Sequence, residues 1–172
     1  PDAAVAPPPL DCTTYCEAVS THCTGARAQY DSVAACMAFC EFIPFGTEDD
    51  LGGNTLGCRL NHALLAADAP ATECANAGPS GGGLDPMVGA GVCGAPCEVT
   101  CTFGASICPG AIAECMMLCP FFGALDGPFS AARPDRNDYG CRLSYLTRAA
   151  ASPEDAMTFC PETGFASMAC SP

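Results

Sequence analysis

The sequence contains no lysine. Its six basic residues are all arginine, nineteen Asp and Glu oppose them, and the formal charge is −13. A nucleic-acid-binding surface needs cations to displace condensed counterions, so that function class is excluded. Attraction to anionic lipid fails for the same reason. No apolar run approaches the roughly 20 residues that cross a bilayer, so membrane insertion is not expected. No signal peptide is visible either. The chain opens on Pro1 rather than Met, as a processed product would, and lipid or wall anchoring of its precursor is compatible with that. No Asn-x-Ser/Thr sequon occurs.

Motifs for catalysis and metal binding are equally scarce. Zinc ribbons need Cys-x2-Cys knuckles, and their absence also removes c-type haem attachment and thioredoxin-like redox chemistry. The one Gly-x-Ser-x-Gly string, Gly78-Pro79-Ser80-Gly81-Gly82, falls in a glycine run with no strand expected before it and is not read as a nucleophile elbow. The Gly-Pro-Ser-Gly-Gly-Gly run at 78–83 lacks the Gly-Lys-Ser/Thr of a phosphate loop and reads as a flexible loop. His22 and His62 are the only histidines, and both read as surface or interface side chains. With every cysteine expected in a disulfide, no thiol is left as a nucleophile. An enzyme is therefore not expected. The one cofactor considered is calcium, for which Asp49, Asp50 and Asn54 supply oxygen donors in an acid-rich loop. Their spacing is not that of an EF-hand, and acids there also suit a helix N-terminus. Asp135–Asp138 occupies a related place further on.

Cysteine is what the chain has in abundance: sixteen in 172 residues. That density points to a disulfide scaffold in an oxidising, extracellular or cell-surface compartment. Nine Phe and 49% hydrophobic residues indicate a conventional core as well. The cysteines fall in one order twice. Cys12, Cys16, Cys23, Cys36, Cys40, Cys58, Cys74 and Cys93 are followed by Cys97, Cys101, Cys108, Cys115, Cys119, Cys141, Cys160 and Cys170. Asn54-Thr-Leu-Gly-Cys58-Arg-Leu returns as Asn137-Asp-Tyr-Gly-Cys141-Arg-Leu. This implies a duplication. We expect a proline-rich arm over 1–10, one cysteine-rich helical repeat over 11–94 and a second over 95–172.

The fold class expected is all-α and disulfide-rich, with no substantial sheet. Each repeat would hold a helical hairpin, a third helix and a disulfide-closed loop. Asp11 caps a first helix to about Cys23, and Asp31 or Ser32 caps a second from Val33 to Phe42. Asn54 caps a third, which Pro70 ends. Asn137 or Asp138 caps its counterpart, and Ser152-Pro153-Glu154-Asp155 starts a further helix. Cysteines at i and i+4 on one helix sit too far apart to bond each other, so two antiparallel Cys-x3-Cys helices are bolted by paired rungs. This gives Cys12–Cys40 with Cys16–Cys36, and Cys97–Cys119 with Cys101–Cys115. The remainder would pair as Cys23–Cys58, Cys108–Cys141, Cys74–Cys93 and Cys160–Cys170. Arg59 and Arg142 read as structural, each pairing with a carboxylate or capping a carbonyl.

Gly57-Cys58-Arg59-Leu60 and Ala77-Gly78-Pro79-Ser80-Gly81-Gly82-Gly83, set in this order of cysteines, resemble cysteine-rich tandem repeats of uncharacterised secreted proteins and lipoproteins of bacteria. The resemblance spans Cys12 to Cys170 and implies location and fold, without an activity. The functional expectation is a secreted structural protein that self-assembles into an extracellular filament or surface layer. Copies of itself would be the partners, and Val5, Pro7, Pro8, Pro9 and Leu10 would form the subunit-contact arm. The alternative is a monomeric, surface-anchored binding or adhesion module, stabilised by calcium.

Overall fold

The structure, a computed structural model, describes residues 8–111, 114–132 and 138–170. These residues form eight α-helices and three short 3-10 turns, with no strand among them. The all-α, disulfide-rich class is therefore what the chain adopts. Val5 and Pro7 of the arm, Asn137 and the stretch beginning at Asp135 lie outside the described residues.

In the first half, α1 (Cys12–His22) starts where Asp11 accepts a hydrogen bond from the Thr14 amide at 2.7 Å. Helix α2 (Val33–Cys40) starts at Ser32, whose hydroxyl accepts from the Ala35 amide. Two rungs bolt the pair, Cys12–Cys40 and Cys16–Cys36, with Cα atoms 5.7 and 5.8 Å apart. Such close approach suits the small Ala35 at the contact, which is buried. Helix α3 (Leu56–Leu65) is capped by Thr55 and not by Asn54. Asn54 sits one residue too early and is buried. The Thr55 hydroxyl also donates to Asp50, tying the cap to the acidic loop.

Pro70 does not simply end α3. It is the first residue of a fourth helix, α4 (Pro70–Ala77), in a stretch expected to be part of a disulfide-closed loop. Proline is favoured at N1, where a missing amide costs nothing. The same signal was legible at Pro153, which opens α8 (Pro153–Phe159) behind the Ser152 cap. The rest of the second half comprises α5 (Pro96–Ile107), α6 (Cys115–Leu118) and α7 (Tyr139–Ala149). Asp138 caps α7.

Helix α4 also corrects the disulfides. The four hairpin rungs form as spacing predicts, including Cys97–Cys119 and Cys101–Cys115. Cys23–Cys58, Cys74–Cys93, Cys108–Cys141 and Cys160–Cys170 do not form. The chain makes Cys23–Cys74, Cys58–Cys93, Cys108–Cys160 and Cys141–Cys170. Folding back along α3, α4 carries Cys74 to the C-terminal end of α1. Cys58, in the first turn of α3, is left to bolt the following loop. The order of linkage is the same in both halves, and no disulfide joins one half to the other.

The halves meet through a shared core. Phe39 of α2 packs edge-on against Phe103 of α5, ring centres 4.6 Å apart. Arg148 of α7 bonds Asp31 at 2.7 Å. The glycine run at 78–83, expected as a flexible loop, is a packed junction. Residues 78–81 and 83 are buried. The Cys93 amide donates to Gly81 O, Tyr139 OH donates to Gly83 O, and the Leu125 amide donates to Leu84 O. Gly81 has φ +62°, and a Cβ there would lie 2.3 Å from the Cys93 carbonyl oxygen. Only glycine meets both conditions.

Gly81→Ala should therefore cost more than left-handed strain alone, which is about 1–3 kcal/mol. Gly89→Ala is the control, because Gly89 shares a positive φ of +69° but has open space around it. Urea unfolding should show the larger loss for Gly81→Ala; equal losses would show that the close approach carries no weight.

Three carboxyls are more acidic folded than unfolded. The Thr14 amide holds Asp11 down, Thr47 and then Thr55 hold Asp50, and the Ala169 amide holds Glu162. Their contribution is present above the ordinary carboxylate range, near 4, and is lost as pH falls through their lowered values. Thermal melting should be flat from pH 7 to about 5 and fall towards pH 2. Asp50→Asn should shallow that decline.

Candidate functional site

His62 is not a surface side chain. It lies on α3, one turn after Cys58, and is 9% exposed. Its Nδ1 is 2.5 Å from Glu73 Oε2 on α4, and its Nε2 faces Leu51 O at 3.5 Å. The donor atoms of Cys58, His62 and Cys93 lie within 4.8 Å of one another, a spacing that suits a metal. Both sulfurs are consumed by the Cys58–Cys93 disulfide, however, so the group offers one nitrogen and no thiolate. His62 and Glu73 act as a polar staple between α3 and α4.

Of the calcium candidates, Asp50 is engaged within the protein. Asp50 accepts from the Thr47 amide, the Thr47 hydroxyl and the Thr55 hydroxyl, which closes the turn before α3. Asn54 is buried, and Asp49 is exposed. Of the arm, Pro8 and Pro9 are exposed while Leu10 packs against the core.

Arg59 and Arg142 cap carbonyls. Arg59 is completely buried, donates to Gly78 O and Thr55 O, and lies over the Phe103 ring at 5.5 Å. Arg142 donates to Asp138 O and lies over Phe122 at 4.3 Å. Near Arg59, the hydroxyls of Tyr15 and Tyr30 are 2.8 Å apart, and Tyr15 donates to Ala77 O. Burial pushes the Tyr15 phenol up to about 12 and raises Tyr30 well above the ordinary phenol range, so both stay neutral. These groups hold the core and are closed to substrate.

The arrangement best suited to a ligand lies where the halves meet. The 3-10 turn Gly25–Arg27, Gln29, the first two turns of α4 and Pro128–Phe129 enclose a cleft of about 330 Å³. Its walls are Pro70, Ala71, Ala75, Cys74, Pro128 and Phe129, and Arg27 stands at its edge. Gln29 clips the two halves together, donating from Nε2 to Arg27 O at 2.8 Å and to Phe129 O at 3.1 Å. Beside it the Ala131 amide donates to Ala28 O at 2.8 Å. A second cleft across the halves, about 290 Å³ between Phe42, Ile107 and residues 149–153, has no charged group in its walls. Volumes of this order suit small molecules, and boundaries between compact units are where such sites tend to occur. None of Arg27, Gln29, Ala71 and Phe129 sits in a sequence motif. The only signal was Arg27 itself, a basic residue in an acidic chain that the second half does not repeat.

Comparison with known proteins corrects the bacterial resemblance. Residues 11–88, less than half of the chain, match the family model described as the BfoA family C-terminal domain. A protein of Aspergillus niger named aurasperone B biosynthesis cluster protein A is 44% identical over 71 residues, which is 41% of this chain and 23% of that protein. Bifonsecin B biosynthesis cluster protein A of Aspergillus brasiliensis is 42% identical over 82 residues, 47% of this chain and 28% of that protein. The chain thus spans about a quarter of the length of these relatives. No solved structure matches. The similar proteins are fungal and named for biosynthesis clusters. This overturns the expected bacterial source and, with it, the reading as a self-assembling filament or surface-layer subunit or a surface-anchored adhesion module. Over residues 11–88 the chain is similar to the C-terminal domain of the BfoA family.

Proposed function

We propose that this chain is a secreted, non-catalytic module that serves a fungal biosynthetic cluster by holding a small apolar molecule in the cleft between its halves. The observation that carries the reading is the cleft itself. It is sized for one small molecule, its walls come from both halves, and the Cys23–Cys74 disulfide fixes one wall. All sixteen cysteines are paired, which supports an oxidising compartment and leaves no thiol nucleophile. His62 is committed to Glu73. The names of the similar fungal proteins supply the biosynthetic setting.

Titration with the neutral, environment-sensitive naphthalene dye prodan tests this. The chain has no tryptophan to obscure the signal. Saturable enhancement is expected, with a dissociation constant on the order of 0.1 mM for a ligand of that size. Ala71 is exposed at the cleft wall, so Ala71→Trp should fill the cleft and abolish binding with the circular dichroism spectrum unchanged. Absence of saturable binding to the unmodified chain would overturn the reading.

A further inference from the structure

The geometry points to an aromatic carboxylate as the class of ligand the junction cleft takes, with its ring on Phe129 and its charge on Arg27. This inference rests on the cleft being a binding site, as proposed above, and adds which chemistry it selects.

Most of the arginines are already committed. Arg59 and Arg142 are buried and cap backbone carbonyls. Arg148 is paired with Asp31. Arg133 and Arg136 lie outside the described residues. Arg27 is exposed, and no carboxylate or other side chain among the described residues engages its guanidinium. In a chain of charge −13, an unpaired arginine has many carboxylates from which a partner could have been drawn. Here the guanidinium stands instead at the edge of an apolar slot.

A second feature of the same sign converges on that slot. Pro70 and Ala71, the first two residues of α4, line the cleft, and the helix cap at Ala69 provides no side-chain hydrogen bond. The N-terminus of α4 therefore carries no side-chain cap, and the acid of its first turn, Glu73, is engaged by His62. The Oε1 of Gln29, which would otherwise present negative charge, packs against Gly78. The overall negative charge does not defeat a bound anion, because at physiological salt the field of distant carboxylates is screened beyond about 8 Å. Arginine meets a carboxylate with two parallel hydrogen bonds. The walls formed by Pro70, Ala71, Ala75, Pro128 and the Phe129 ring require a flat apolar body behind that charge. An inorganic anion would satisfy Arg27 but leave those walls empty.

The test compares 2-naphthoate with the neutral 2-naphthalenemethanol by isothermal titration on the full chain. The unmodified protein should bind naphthoate about five- to tenfold more tightly, and added sodium chloride should erode that preference alone. Arg27→Gln, at an exposed position, should bring the two affinities together while leaving naphthalenemethanol unchanged. Equal binding of both ligands to the unmodified protein, or an Arg27→Gln variant that keeps the preference, overturns the inference and leaves the cleft reading standing. Failure of both ligands to bind removes the cleft reading and this inference with it.

Discussion

Backbone runs through the middle of this protein in a space that side chains would normally fill. The loop at 78–83 is buried where the two halves meet. Gln29 packs on Gly78, the Cys93 carbonyl on Gly81, the Asn76 amide on Gly82 and the Pro96 ring on Gly83. Burying a loop is costly unless its peptide groups find partners. Here they do. The Gly78 carbonyl accepts from Arg59 and the Gly81 amide, Gly81 accepts from Cys93, and Gly83 accepts from Tyr139. Apart from the Gly81 amide, each partner comes from a different part of the chain. The ends of α4 and α3, the bolt at Cys93 and the start of α7 therefore depend on one stretch in which four of the six residues are glycines with no side chain to give way. Added bulk at Gly81 would push on both halves together.

That dependence matters because covalent bonding stops at the seam. Four disulfides close within 12–93 and four within 97–170. Each contributes about 2–4 kcal/mol by restricting the unfolded chain, but none opposes separation of the halves. That task falls to the aromatic pair Phe39–Phe103, the Arg148–Asp31 bridge and the backbone clips around Gln29 and Ala131. Rigid units with a non-covalent seam concentrate what adjustability the molecule has at the seam. The junction cleft lies on it, with one wall fixed by Cys23–Cys74 and the other supplied across the boundary by Pro128–Phe129.

Arg59 shows how the core tolerates a charge there. It is fully buried, its Nη2 has no hydrogen-bond partner among the described residues, and burial pulls its pKa down. Removing a guanidinium from water is expensive, and a buried ion pair often fails to repay it. This chain uses carbonyls instead. Gly78 O lies just beyond the C-terminal end of α4, where the helix dipole is negative, and Thr55 O is the cap of Arg59's own helix. Phe103 adds the face of its ring. Arg142 repeats the scheme with Asp138 O and Phe122. The recurring Gly-Cys-Arg-Leu stretch therefore places two bolts side by side, a covalent one to the following loop and a polar one to the helix cap. Its glycine brings the helix to within contact of the Thr47 carbonyl.

Local rules carried the sequence reading as far as local causes reach. Cys-x3-Cys spacing on two helices leaves one sensible pairing, so the rungs were legible. Asp11 and Ser32 were legible because a cap acts on amides three residues away. Cys23 and Cys58 failed because their partners depend on α4, and Pro70 was read as a stop when its position at N1 is a start. The glycine loop failed for a different reason. Glycine marks both a free loop and a crowded one, and only the neighbours that crowd it tell them apart. The cleft could not have been read at all. Gln29 and Phe129 are separated by 100 residues in sequence, and neither sits in a motif. What survives as a usable signal is Arg27. Among so many carboxylates, a cation that no side chain of the described residues engages, at the edge of an apolar slot, is better explained by a ligand than by the fold.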